Sequence, residues 1–203
     1  EHKTNIKHKK ADPKEQAERL NEKGKILGRA RKDLEALEYF KFAAEICPDK
    51  GKYRYNMGIA YKNTKRYEEA LRCLFDALEL GYEHCDCYSA IGSILREKEE
   101  YELAESYVDK ALELDTDNMC ARIEKASLHL HKGDREKALE DVNTLISMNP
   151  DNPKFYLLRA ILYYSFGMKN ELKKEIKKAH EVYENIDKKL SRKQISKTFE
   201  TVH

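Results

Sequence analysis

The stretch Tyr55-Asn-Met-Gly-Ile-Ala-Tyr61 decides the fold, because its pattern returns as Ser89-Ala-Ile-Gly-Ser-Ile-Leu95. Gly58 and Gly92 lie 34 residues apart. The same step backward lands on Gly24, and forward on Ala126 and then Ala160. A small residue therefore holds one phase throughout the chain. Ala70, Ala104 and Ala138 share the step, as do Ala43, Ala77 and Ala111. Self-similarity at such a period is the mark of a stacked array of short structural units.

The frame divides the chain into five units, 17–50, 51–84, 85–118, 119–152 and 153–186. Each reads as two helices. Met57, Gly58 and Tyr61, then Ile91, Gly92 and Leu95, stand at offsets of three and four in the first helices. Ala70, Leu74, Ala77 and Leu78, then Ala104, Val108, Ala111 and Leu112, do so in the second. That spacing gives each helix one apolar face. Polar joints separate them at Thr64-Lys-Arg66, Lys132-Gly-Asp134 and Met148-Asn-Pro150, and Pro48 shares a helix-ending phase with Pro150. Small residues let paired backbones approach closely. One pair cannot bury its face alone, so neighbours must stack. Residues 1–16 read as a polar tail and a helix start, with Asp12 as N-cap and Pro13 as first helical residue. Residues 187–203 are expected to form a separate closing helix, on the spacing of Ile195, Ser196, Phe199 and Val202.

Composition agrees with helix. Glu, Lys, Ala and Leu abound, and eight Gly and four Pro in 203 residues leave little punctuation for a many-stranded sheet. The 39 basic and 37 acidic residues nearly cancel to +2, which argues against an electrostatic nucleic-acid coat. The balance is uneven along the chain: +3 over 1–50, −7 over 51–152 and +6 over 153–203. The longest apolar run, Ala160 to Met168, is broken by Ser165 and Gly167, so no membrane span is expected. The chain begins at Glu1, which reads as an excised or processed piece of something longer. Five cysteines without a scaffold pattern point to free thiols in a reducing compartment, hence a cytoplasmic location.

The 34-residue period resembles the tetratricopeptide repeat (TPR) family over about residues 17–186. Met57, Gly58, Tyr61, Tyr67, Ala70 and Ala77 match that pattern in unit two, and Ile91, Gly92, Tyr101, Ala104 and Ala111 in unit three. Units one and five depart from it, with Lys23, Arg159 and Leu172 at phases that want smaller or apolar residues. The resemblance implies an all-α, right-handed superhelical solenoid of antiparallel helix pairs. It also implies a concave groove, lined by first helices, that holds a protein or peptide. Candidate groove residues are Lys52, Tyr55, Asn56, Ile59, Asn63, Ser89, Arg96, Ile123, Ser127, Leu130, Lys154, Leu157, Leu158, Ile161 and Tyr164. One family subset grips the C-terminal carboxylate of heat-shock chaperones. Here only Asn56 matches its clamp, while Asp86 and Ala90 stand where Lys and Arg are needed, so that partner is not expected.

The groove is polar in units one to three and apolar in four and five. The apolar end is either a docking patch or a surface covered from within, by the closing helix or by curvature. The basic C-terminal lysines, Lys169, Lys173, Lys174, Lys177 and Lys178 among them, read as a solvated face with Glu171, Glu175 and Glu181 interspersed. Aromatics for base stacking are not interleaved there, so nucleic acid is not an expected partner. The opposite poles leave self-association open. His84-Cys85-Asp86-Cys87, with Cys120 one helix away, is the one metal-like cluster, but its cysteines lack a two-residue spacer and a second pair. His129, at a phase that an aromatic normally fills, reads as a packed core residue. No triad, phosphate loop or cofactor motif is present, so the expectation is a non-enzymatic adaptor without cofactor.

Overall fold

A computed structural model describes residues 12–200, with side chains through 188. Among the described residues ten helices follow one another, two to each unit: α1 (Pro13–Arg29), α2 (Asp33–Ile46), α3 (Gly51–Asn63), α4 (Tyr67–Glu79), α5 (Cys85–Glu97), α6 (Tyr101–Leu114), α7 (Met119–Lys132), α8 (Arg135–Met148), α9 (Pro153–Ser165) and α10 (Lys169–Glu200). No strand occurs among the described residues. The chain is an all-α solenoid.

Local chemistry starts and stops these helices where the sequence marks them. The Asp12 side chain accepts the Lys14 N–H at 3.1 Å, with Pro13 at the first helical position. Asn118 caps α7 and Asn152 caps α9 in the same way. Carboxylates fill the first turns of the second helices, at Glu35, Glu69, Glu102, Glu136 and Glu171, where they meet the positive end of the dipole.

Within each pair a small residue of the first helix lies under a large one of the second. A Cβ on Gly58 would sit 2.7 Å from Leu74 Cγ, and one on Gly92 would sit 2.6 Å from Val108 Cγ2. The core is continuous through units one to three and reaches Ala121 and Leu128 of α7. Beyond that point it breaks into two smaller clusters, one around Ala126, Ala138, Val142 and Leu162 and one around Tyr156, Ala179 and Val182. Ions help bridge the joint between units three and four. Lys125 Nζ donates to Glu105 at 3.1 Å and to Asp109 at 2.6 Å, and Lys132 also donates to Glu105.

One turn was not anticipated. The residue joining the two helices of a unit is left-handed in all five: Arg31, Lys65, Glu99, Gly133 and Gly167, with φ of 61°, 60°, 64°, 75° and 70°. Three units put a side chain where L-residues are strained. The expected break before residue 187 is absent: α10 runs unbroken through 32 residues to Glu200, since neither Gly nor Pro interrupts it. The interior coverage expected of Ile195, Ser196, Phe199 and Val202 falls on side chains outside the described ones.

The turn predicts that Glu99→Gly raises the thermal midpoint, stabilising by up to about 1 kcal/mol, while Gly133→Ala costs about 1 kcal/mol. Calorimetry on the two variants checks both signs. Glu105 makes a second prediction. Lys132 and Lys125 hold its carboxyl at about 2, below the ordinary 4.5. A depressed folded value means that its contribution is full above the unfolded value and is lost as pH falls toward about 2. Denaturant melts of the parent should therefore lose stability through that window, and Glu105→Gln should flatten that part of the curve.

Candidate functional site

First helices alone line a depression of about 330 Å³, with Tyr55, Ile59 and Lys62 from α3, Asp86, Ser89, Ala90 and Ser93 from α5, and Cys120, Ile123 and Glu124 from α7. The structure thus brings the candidates Tyr55, Ile59, Ser89 and Ile123 together and adds Cys120.

Most polar candidates already have internal partners. Lys52 pairs with Glu18 at 2.5 Å and holds that carboxyl below its ordinary value. Asn56 Nδ2 donates to Asn21 at 2.6 Å, and Asn63 Nδ2 donates to Asp33 at 2.7 Å. Arg96 Nε donates to Glu124 at 2.6 Å. Ser89 and Ser127 donate to the Asp86 and Ile123 carbonyls of their own helices. The Tyr55 ring packs on Tyr82 at 5.2 Å, and burial pushes its hydroxyl well above the ordinary value. The contacts of Lys52, Asn56, Asn63 and Arg96 stitch one unit to the next.

The apolar end differs. A second depression, of about 450 Å³, lies between α7 and α9, lined by Met119, Cys120, Ile123, Phe155, Leu157, Leu158 and Ile161, with Asn152 and Lys154 at its edge. Leu157, Ile161 and Tyr164 are 48, 54 and 74% exposed. They are spaced at i, i+4 and i+7, so they form one stripe of α9. Leu130 and Leu158, expected beside them, are half-buried and pack against the cluster around Val142 and Leu162. They serve the joint between units four and five, because they point toward α8 and α9 neighbours as well as the groove.

The cysteine cluster divides. Cys87 donates to the Leu74 carbonyl at 3.5 Å inside the core, and burial pushes its thiol up to about 12. Residues two apart on a helix face different ways. The ligand atoms of His84, Cys85 and Asp86 do lie within 4.8 Å of one another. Each is engaged: His84 Nδ1 accepts the Asp86 N–H, and Asn118 Nδ2 donates to Asp86 at 2.8 Å and contacts Cys85 Sγ at 3.3 Å. Burial raises the Cys85 thiol above its ordinary value. Cys120 lines the depressions instead of joining this group, and burial together with Asp86 raises its thiol as well. His129 is packed inside, with Nδ1 2.9 Å from Asp141 Oδ2, as its phase predicts.

Family models described as tetratricopeptide repeat match residues 55–118 and 95–168, which together cover more than half of the chain. The chain belongs to the tetratricopeptide repeat family. TPR repeat-containing protein MJ1428 of Methanocaldococcus jannaschii is 32% identical over 142 residues, covering 70% of this chain and 24% of that protein. The chain thus spans about a quarter of that relative's length. The TPR fold also matches a crystal structure of MamA, with a TM-score of 0.64 and 22% identity over 81% of this chain and 96% of that one. It matches YrrB, a TPR protein described as having an unusual peptide-binding site, with a TM-score of 0.58 and 20% identity over 86 and 90%. TPR arrays are in general protein-interaction scaffolds, and no described helix of this one is long and apolar enough to cross a membrane.

The stitching makes its own prediction. Arg96→Ala leaves Glu124, whose side chain is only 14% exposed, without that cation, and should cost about 1–3 kcal/mol. Leu157→Ala should change stability by less than about 0.5 kcal/mol. Urea melts compare the two.

Proposed function

We propose that the chain is a non-enzymatic adaptor that holds a protein or peptide segment on its concave face, anchored at the apolar end between α7 and α9. One observation carries this reading: the polar groove candidates of units one to four are already paired, whereas Leu157 and Ile161 stand half exposed beside a depression of about 450 Å³. A paired polar group gains little by exchanging its partner for a ligand. Burying an aliphatic side chain contributes roughly 1.5–3 kcal/mol. Pre-formed helices also lower the ordering cost of binding. The peptide site attributed to YrrB supports the same use of this fold. The five cysteines, all free, fit a reducing, cytoplasmic setting. The alternative is a self-associating module of a larger assembly, favoured by the −7 middle and the +6 end.

Peptides selected from a random library on the purified chain test the proposal. They are expected to carry clustered apolar residues, and to lose about tenfold in affinity on Leu157→Ala or Ile161→Ala while the melting curve stays in place. Peptides indifferent to both changes but lost on Asn56→Ala would overturn it. A concentration-dependent dimer in sedimentation, with no peptide selected, would favour self-association.

A further inference from the structure

The frame places Phe40, Leu74, Val108, Val142 and Ile176 at one phase of the second helices. The first four are 5, 0, 0 and 0% exposed, but Ile176 is 51% exposed. The difference has a visible cause. In the inner units the next first helix closes over this position: Cys87 of α5 donates to the Leu74 carbonyl, and Leu162 of α9 packs with Val142. No described helix closes over Ile176. The chain that follows it is still α10, and a helix unbroken to Glu200 cannot turn back onto its own face. The open slot between α9 and α10 measures about 460 Å³ and is lined by Pro153, Lys154, Leu157, Ile176, Ala179 and Tyr183. Its shape is that of a seat for one more helix.

Charge selects the occupant. Lys169, Lys173, Ile176, His180 and Tyr183 run at spacings of four and three, so they form one stripe of α10. Lys154, Lys169, Lys173 and Lys177 are exposed and form no ion pair with any described residue. The acidic groups of α10 do not neutralise them. Glu175 is buried on Arg159, Glu181 pairs with Lys178, and Glu184 pairs with His180 and Lys188. Asp187 lies at the far end of the stripe, and Glu171 on the opposite side of the helix. An apolar slot rimmed by unpaired lysines fits a helix with an apolar face and acidic flanks.

We propose that the slot between α9 and α10 docks an acidic amphipathic helix, which takes the place that the next first helix takes in every inner unit. This surface is separate from the concave groove, because Ile176 and Tyr183 line neither groove depression. The two share Lys154 and Leu157, so a test must avoid those residues.

The probe is a fluorescent helical peptide of about 16 residues with leucines at i, i+3, i+4 and i+7 and glutamates on both flanks, beside a twin with lysine for glutamate. Anisotropy on the 203-residue chain should record binding of the acidic peptide, weakening as salt rises, and little binding of its twin. Ile176→Ala and Tyr183→Ala should each weaken the acidic peptide by about tenfold, while Ile161→Ala leaves it unchanged. Reversing Lys173→Glu and Lys177→Glu together should transfer the preference to the basic twin. Both variant sites are exposed, so unchanged melting curves confirm folding. Absence of binding, equal binding of the two peptides, or indifference to Ile176→Ala and Tyr183→Ala would overturn the proposal. So would a dimer in sedimentation that Ile176→Ala dissolves, because the occupant would then be a second copy.

Discussion

The contact between a side-chain-free position and a large residue sets the geometry on which everything else rests. Phe40 over Gly24, Leu74 over Gly58 and Val108 over Gly92 bring two helix backbones closer than any Cβ would permit. That approach defines a flat, two-layered unit whose remaining apolar surface faces the next unit. Stacking is then the way to bury it. Where Ala126 and Ala160 replace glycine, the core ceases to be continuous and splits into smaller clusters.

Polar groups occupy the interior at that same end. Asp141 lies between His129 at 2.9 Å and Arg122 at 3.4 Å, and burial outweighs the His129 hydrogen bond and the Arg122 charge in raising its carboxyl. Arg159 stands where the repeat wants an apolar residue and donates to Asn143 at 2.5 Å and Glu175 at 2.9 Å. Ion pairs like these add little net stability over aliphatic packing, yet breaking one strands a buried charge. They make units four and five geometrically definite without making them strongly cohesive.

The period was fully legible, because a 34-residue step in small residues survives without any knowledge of contacts. Caps at Asp12 and the burial of His129 followed from it. What a period cannot supply is the meeting of polar side chains across units. Lys52 and Glu18 are one full step apart, so their pairing depends on how far the superhelix turns between units. The left-handed turn was hidden for another reason: Arg31, Lys65 and Glu99 fill it, and only Gly133 and Gly167 advertise a positive φ. The continuity of α10 was legible in principle from the absence of Gly and Pro after Met168. The repeat frame, which expects a break every half unit, outweighed that local signal. Equally, Cys85 and Cys87 look like one motif in sequence, but helical geometry sends one to the cap and the other to the core.

The distribution of unsatisfied surface follows from the same architecture. An inner unit has a neighbour on each side, so its apolar face and its groove polar groups can both find partners within the chain. Asn56 meets Asn21 and Arg96 meets Glu124 in this way. Among the described residues the last pair has a neighbour on one side alone. Position for position, Ile176 of α10 is exposed where Phe40, Leu74, Val108 and Val142 are buried, and the lysines beside it lack partners among the described residues. Binding free energy has to come from surface not yet satisfied. In a one-dimensional array that surface collects at the end where stacking stops, whatever the middle of the groove contains.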